Sequence, residues 1–218
     1  MKIGIIGSGV VAETLASGFL KHGHQVLLGS RSPDKLAPWA AANPGGRTGD
    51  MAEAAAFGEA VVLAVKGSAA LDALQLAGAE HLAGKVVMDA TNPIADQAPA
   101  HGVLHFFTTL EESLMERLQR ALPEVRFVKV FNSVGSALMV DPDLPGGRPS
   151  MFICGNDAAA KQLVSQLLGD FGWDAEDMGE VEAARAIEPL CMLWCIPGLR
   201  RGEWTHAFKL VRARPAPV

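Results

Sequence analysis

Residues 4–16 read GIIGSGVVAETLA. An apolar run, Lys2–Ile6, precedes the glycines. A helical pattern follows them, with Val11, Leu15, Gly18 and Phe19 on one face. Gly7-Ser8-Gly9-Val10-Val11-Ala12 fits G-x-G-x-x-G/A in strand–turn–helix order. Gly7 permits the tight turn, Gly9 lets the backbone approach a pyrophosphate, and Ala12 is small enough for the helix to pack close to the sheet. The phosphates are expected at the start of the helix, where free N–H groups and the dipole favour anions.

Beyond this stretch, apolar strands alternate with amphipathic helices. Strands are expected at Lys2–Ile6, Gln25–Leu28, Ala60–Val65, Lys85–Asp89, Arg126–Phe131 and Ser150–Cys154. Most are apolar throughout, which marks strands buried on both faces of a parallel sheet. A late helix carries Leu163, Leu167, Leu168 and Phe171 on one face and ends at Gly172. The pattern predicts an α/β fold: a Rossmann-type, doubly wound, mainly parallel sheet with a small C-terminal helical element. Residues 1–180 are expected to form the nucleotide-binding domain. Residues 181–218 are expected to form the helical element, serving as acceptor wall, dimer contact or both. Asp141–Ser150 is the clearest loop, and the final RPAPV is expected to fray.

The second strand identifies the nucleotide. A site selective for NAD ends this strand with a carboxylate for the ribose hydroxyls. Here residues 27–35 read LLGSRSPDK, and no carboxylate occurs before Asp34. Ser30 and Ser32 offer hydroxyls, Arg31 a planar guanidinium, and Lys35 a point charge. That set suits a ribose 2′-phosphate, so NADP(H) is the expected cofactor. Other readings stay open: Arg31 stacking on adenine, Lys35 as a solvated charge, and Asp34 pairing with Lys35 or capping its helix. At the same sheet edge, Ala64, Val65 and Lys66 end one strand and Asn92-Pro93 follows another. These two loops are expected to flank the nicotinamide half. Lys66 is either a phosphate or substrate contact or a surface lysine. Asn92 and Asn132 are read as orienting groups, and Asn132-Ser133 adds a polar pair at that rim.

Composition narrows the function. A net charge of −5 in 218 residues argues against a general nucleic-acid binder. No secretory segment and no run long enough to span a bilayer is recognised, so a cytoplasmic location is expected. Cys154, Cys191 and Cys195 form no disulfide framework, and no metal site is expected. His22 and His24 fall on the edge opposite the site. His81, His101, His105 and His206 lack metal spacing and read as packing or surface groups, with His101 or His105 the two that could reach the site.

The ordered set GIIGSGVVAETLA, GSRSPDK, MDATNP and FVKVFN precedes MFICGNDAAAKQLVSQLLGDFGWDAEDMG and EAARAIEPLCMLWC. Together they resemble the NADP oxidoreductases that use the deazaflavin coenzyme F420. They are similar also to the cytoplasmic reductase domain of the STEAP ferric reductases. The resemblance implies a usually dimeric NADP-binding protein that exchanges hydride with a flavin-like ring. It carries the phosphate loop onto Gly7, Ser8, Gly9, Val10 and Val11, and the 2′-phosphate grip onto Ser30, Arg31, Ser32 and Lys35. The segment after Arg185, with Trp194, Pro197-Gly198 and Arg200-Arg201, is closer to the STEAP-like branch.

Hydride transfer between a nicotinamide and a flavin-type ring needs little acid–base machinery, because the two rings carry the chemistry. This suits a chain without an obvious catalytic His–Asp or Lys pair. The expected activity is hydride transfer between NADPH and a small redox acceptor: coenzyme F420, FMN or FAD, with ferric reduction through the flavin. Leu190–Pro197 with Trp194 is read either as a wall against the acceptor or as core and dimer packing. Arg200, Arg201, Lys209, Arg212 and Arg214 make the C-terminus basic, which suits an anionic acceptor or a solvated helix end. Two alternatives stay open: a non-catalytic NADP(H) sensor or partner module, and a pyrroline-carboxylate or 3-hydroxyacid type of reductase.

Overall fold

Strand β1 (Lys2–Ile6) can lie at the centre of a sheet because its residues after Lys2 are apolar or glycine and fully shielded from water. A computed structural model describes residues 1–213; RPAPV, which begins at Arg214, lies outside the described residues. On either side of β1 run β2 (Gln25–Gly29) and β4 (Ala60–Leu63), and beyond them β3 (Arg47–Gly49), β5 (Val86–Asp89) and β6 (Arg126–Lys129). All neighbours are parallel, in the order β3-β2-β1-β4-β5-β6. This is the Rossmann order, which reverses direction at β1 and opens a crevice at the carboxyl ends of β1 and β4.

Alternate side chains feed two cores, as the pleat requires. Ile3, Ile5, Ala60 and Val62 pack with Leu15 and Phe19 of α1 (Val10–Lys21) and Val164 of α7 (Ala158–Asp170). Ile6, Val61 and Leu63 pack with Leu74 of α4 (Ala70–Ala77), Leu118 of α6 (Leu114–Ala121) and Ile187 of α8 (Ala184–Arg201). Gly172 ends α7 at φ 87°, with Trp173 N–H bonded to Leu168 C=O and Gly172 N–H to Gly169 C=O. That is the left-handed glycine stop expected from the sequence.

The remaining elements include α2 (Ala37–Ala42), α3 (Met51–Phe57) and α5 (Ala79–Leu82). Two strands were not anticipated. β3 is three residues of RTG, and β8 (Asp174–Asp177) is the acidic DAED. Neither has an apolar run to announce it. β8 pairs in parallel with β7 (Ser150–Ile153) as a separate two-stranded sheet. One antiparallel bridge, Lys129 to Cys154, ties that sheet to β6. Residues 126–131 were expected as strand, but the ladder stops at Lys129 because the backbone of Phe131 turns to φ 62°.

Helix α8 ends at Gly202 with φ 72°. The chain then doubles back: Ser150 N–H bonds Phe208 C=O, and Arg212 pairs with Glu176. A Cβ on Gly198 would lie 2.2 Å from the Trp204 ring, so this glycine gives the returning segment room. No described helix is long and apolar enough to cross a membrane.

Gly4 sits under α3, where an added Cβ would lie 2.0 Å from the Ala54 carbonyl oxygen. Backbone on both sides leaves no flexible atom to give way. Gly4→Ala is expected to destabilise the fold by about 1–3 kcal/mol or more, read as a lower urea midpoint.

Candidate active site

A cleft of about 480 Å³ opens at the carboxyl edge of the sheet. Gly7 through Val11 form one lip, Ser30 and Arg31 another, and Ala64 through Lys66 with Ala90 a third. Gly7 has φ 144°, and its Cβ would lie 2.2 Å from the Ala64 carbonyl oxygen, so the turn excludes any side chain. The same Cβ would approach Ala12 Cβ at 3.2 Å, consistent with a small residue at that position.

Gly9 is different. A Cβ there would meet no protein atom within 4 Å. It occupies the N-cap position of α1 with no side-chain cap, so the first-turn N–H groups lack a side-chain partner. Protein packing therefore does not demand glycine here, whereas a close-lying anionic ligand would.

Ser30 is buried, and its Oγ accepts a bond from Ser32 N–H at 3.2 Å. Arg31, Ser32 and Lys35 are exposed, and of these only Arg31 lines the cleft. Among the described residues, neither Arg31 nor Lys35 has an ion pair or a side-chain hydrogen bond, and Asp34 does not pair with Lys35. Lys66 lines the cleft, 80% exposed, with Nζ 3.6 Å from Asp96 Oδ1.

Asn92 and Asn132 meet each other. Asn92 Nδ2 donates to Asn132 C=O at 2.8 Å, and Asn132 Nδ2 donates to Asn92 Oδ1 at 3.2 Å and to Ile187 C=O at 3.0 Å. Neither Asn nor the buried Pro93 lines the cleft itself, although Ala90, two residues before Asn92, does. Ser133 is buried beside them.

Next to this asparagine pair lies a charged cluster that the sequence reading missed. Lys129 Nζ is fully buried, 2.7 Å from Asp89 Oδ2, 3.0 Å from Glu188 Oε1 and 2.9 Å from Thr91 C=O. Glu188 also accepts from Leu114 N–H and Met115 N–H at the start of α6. Asp89 Oδ1 accepts from both the N–H and the hydroxyl of Thr91. Burial pulls the Lys129 ammonium towards neutrality, but the Asp89 and Glu188 carboxylates outweigh it and hold the group above its ordinary value. A signal existed in the sequence: Asp89 and Lys129 interrupt apolar strands, and a buried charge requires a partner. They are register partners on adjacent strands.

A second cleft of about 260 Å³ lies between residues 106–110 and α8. Phe106, Thr108 and Leu110 face Arg185, Pro189 and Met192, with Glu188 at its inner side. Arg185 bonds Glu116 through Nε at 3.1 and 3.0 Å and holds that carboxyl down at about 2. Of Leu190–Pro197, only Met192 lines this cleft. Trp194 lines neither cleft; its ring stacks on His206 at 5.0 Å and its Nε1 donates to His206 C=O. His101 and His105 also line neither.

Over residues 2–93 the chain matches the family model described as NADP oxidoreductase, coenzyme F420-dependent. The crystal structure of a proposed F420-dependent NADP reductase from Arthrobacter sp. FB24 superposes with a TM-score of 0.91 at 36% identity, covering 97% of this chain and 100% of that one. The chain belongs to the coenzyme F420-dependent NADP oxidoreductase family. The family model and that structure are both described as NADP-dependent oxidoreductases or reductases, the enzyme class expected from the sequence. Rat metalloreductase STEAP3 is 32% identical over 206 residues, 91% of this chain. The chain spans 38% of that relative and 35% of human metalloreductase STEAP2. An imine reductase from Streptomyces aurantiacus shares the fold, with a TM-score of 0.68 at 20% identity.

The Lys129 cluster can be tested apart from any turnover. Lys129→Met leaves two buried carboxylates facing each other, so a loss of about 3–5 kcal/mol is expected. Adding Asp89→Asn and Glu188→Gln should recover part of it. Urea unfolding of the single and triple variants makes the comparison.

Proposed function

We propose that the protein transfers a hydride between NADPH and a flavin-like acceptor, either deazaflavin F420 or a flavin that can pass electrons to ferric iron. The observation that carries this is the pairing of Gly9, whose missing side chain no protein atom requires, with a guanidinium at Arg31 that no described carboxylate neutralises. Gly7, Ser8, Gly9, Val10 and Val11 hold the pyrophosphate through backbone N–H groups. Ser30, Arg31, Ser32 and Lys35 hold the 2′-phosphate, with Ser32 and Lys35 reaching in from outside the cleft wall. Ala64, Val65 and Lys66 flank the nicotinamide half from the cleft wall, with Asn92 and Pro93 just outside it, and Asn132 orients Asn92 by bonding its side chain. The bound nicotinamide supplies the hydride chemistry; the chain aligns the two rings and excludes water. The proposal extends to a cytoplasmic homodimer contacting through residues 181–218, supported by Leu193 and Leu199, 54% and 40% exposed on α8.

The first experiment follows nicotinamide absorbance anaerobically, with NADPH and, in parallel, coenzyme F420, FMN, or ferric chelate with FMN. Turnover with any of these supports the proposal and names the acceptor. Binding of NADPH without turnover on any of them favours the sensor reading. Gly9→Ala is expected to weaken NADPH binding at least ~tenfold while costing under about 1 kcal/mol of stability. Arg31→Ala should cost ~1–3 kcal/mol of NADPH binding and leave NADH nearly unchanged. Equal losses for both cofactors would refute the role given to Arg31. Light scattering at twice the chain mass, reduced to one by Leu193→Glu, checks the dimer.

A further inference from the structure

The cleft has a fourth wall that the phosphate grip does not use. Ala69, Asp72, Ala73 and Leu76 border it at helical spacing, so one face of α4 looks into the cleft. In the sheet, β2 and β4 lie on opposite sides of β1. Arg31 follows β2 and α4 follows β4, so the two stand across the cleft from each other, with Met51 of α3 also on its lining. With the pyrophosphate at the β1 turn and the 2′-phosphate at Arg31, the adenosine half lies in the part of the cleft that Arg31, Met51 and α4 enclose together. Ala73 is small and buried, while Leu76 is 54% exposed, which leaves an apolar slot suited to a flat ring.

Asp72 is the anomaly in that slot. Its carboxylate is exposed and has no ion pair or side-chain hydrogen bond among the described residues. A carboxylate bordering a cleft for a ligand with three phosphate groups is repelled by them unless the ligand presents a donor. The adenosine 2′-phosphate half has two kinds of donor, the ribose 3′-hydroxyl and the adenine amine. The hydroxyl adjoins the 2′-phosphate and so falls beside Arg31, across from α4. We propose that Asp72 accepts a hydrogen bond from the exocyclic N6 amine of adenine and makes the cleft selective for adenine over 6-oxopurine dinucleotides. This rests on the NADP(H) reading above. A charge-assisted acceptor for an N–H donor is strong, and a site built around it rejects an analogue lacking the donor. Asp72 also lies in the first turn of α4, where a carboxylate complements the helix dipole. That structural role predicts a change in stability and no change in base preference.

The test is a fluorescence titration of wild type, Asp72→Ala and Asp72→Asn with NADPH and with its hypoxanthine analogue, whose C6 oxygen replaces the amine. Wild type should prefer NADPH at least ~tenfold. Asp72→Ala should bring the two ligands within about threefold by weakening NADPH. Asp72→Asn should improve the hypoxanthine ligand, because its amide can donate to the C6 oxygen. Equal affinity for the two ligands in wild type, an unchanged preference in Asp72→Ala, or tighter NADPH binding by that variant overturns the assignment and leaves the cofactor reading standing. Failure of wild type to bind NADPH overturns both. Thermal midpoints of the variants separate the dipole contribution from recognition.

Discussion

Taking the Lys129 ammonium fully out of water costs several kcal/mol, and the structure around it is arranged to offset that cost. Asp89 comes from β5, Lys129 from β6, Glu188 from α8, and the N–H groups that share Glu188 from the start of α6. Four elements therefore meet at one charged point. Because the cluster needs all its partners at bonding distance, it fixes the strand ends relative to α8. Immediately beyond it the chain leaves the sheet. Asp89 leads to Thr91-Asn92, and Lys129 leads through the left-handed turn of Phe131 to Asn132. The Asn92–Asn132 pair thus inherits its position from the charges beneath it, and Asn132 closes the arrangement by bonding Ile187 C=O on α8.

The glycines of the first turn separate two kinds of constraint. Gly7 answers to the protein: a positive φ and the Ala64 carbonyl leave no room for a side chain. Gly9 answers to nothing in the protein. Gly135 and Gly198 belong with Gly7, since their Cβ atoms would strike Trp194 and Trp204. Those two bear on the C-terminal segment, for which an acceptor wall and core or dimer packing were both open readings. Its tryptophans pack against glycines and His206, and the surface that α8 gives to the second cleft is made by Arg185, Glu188, Pro189 and Met192.

What the sequence displayed was whatever depends on local pattern. The apolar runs at Ile3–Ile6, Val61–Leu63 and Val86–Met88 announce buried parallel strands, and G-x-G-x-x-A announces the turn between β1 and α1. Arg31 was legible because the position it occupies is defined by the end of β2. The remainder depends on which elements become neighbours. The α4 face with Asp72 resembles any amphipathic surface until β4 is known to lie beside β1. Glu188 precedes a proline in a helix and gives no local sign of its partner 59 positions earlier. β3 and β8 are short and polar, held as strands by neighbours rather than by their own residues.

Charge pairing gives the clearest contrast between scaffold and cleft. The chain carries 24 acidic and 19 basic residues, so carboxylates are in excess. Most scaffold cations reflect that excess or find another partner. Lys21 meets Asp141, Lys161 meets Asp177, Arg185 meets Glu116 and Arg212 meets Glu176. Lys85 donates to Ala55 C=O, Arg126 to Gly84 C=O, and Arg47 lies over the Phe57 ring. Among the described residues, Arg31 and Lys35, just after β2, have none of these. In an acidic protein, two nearby cations without an ion pair among the described residues are left to attract an anion arriving from solvent. Asp72 differs: carboxylates are in excess, so its lack of a described cation is ordinary, and its place on the cleft lining is what sets it apart. The cleft presents an unpaired cation at one wall and an unpaired carboxylate at the other, a polarity that suits the proposed ligand, phosphorylated on its ribose and carrying an amine on its base.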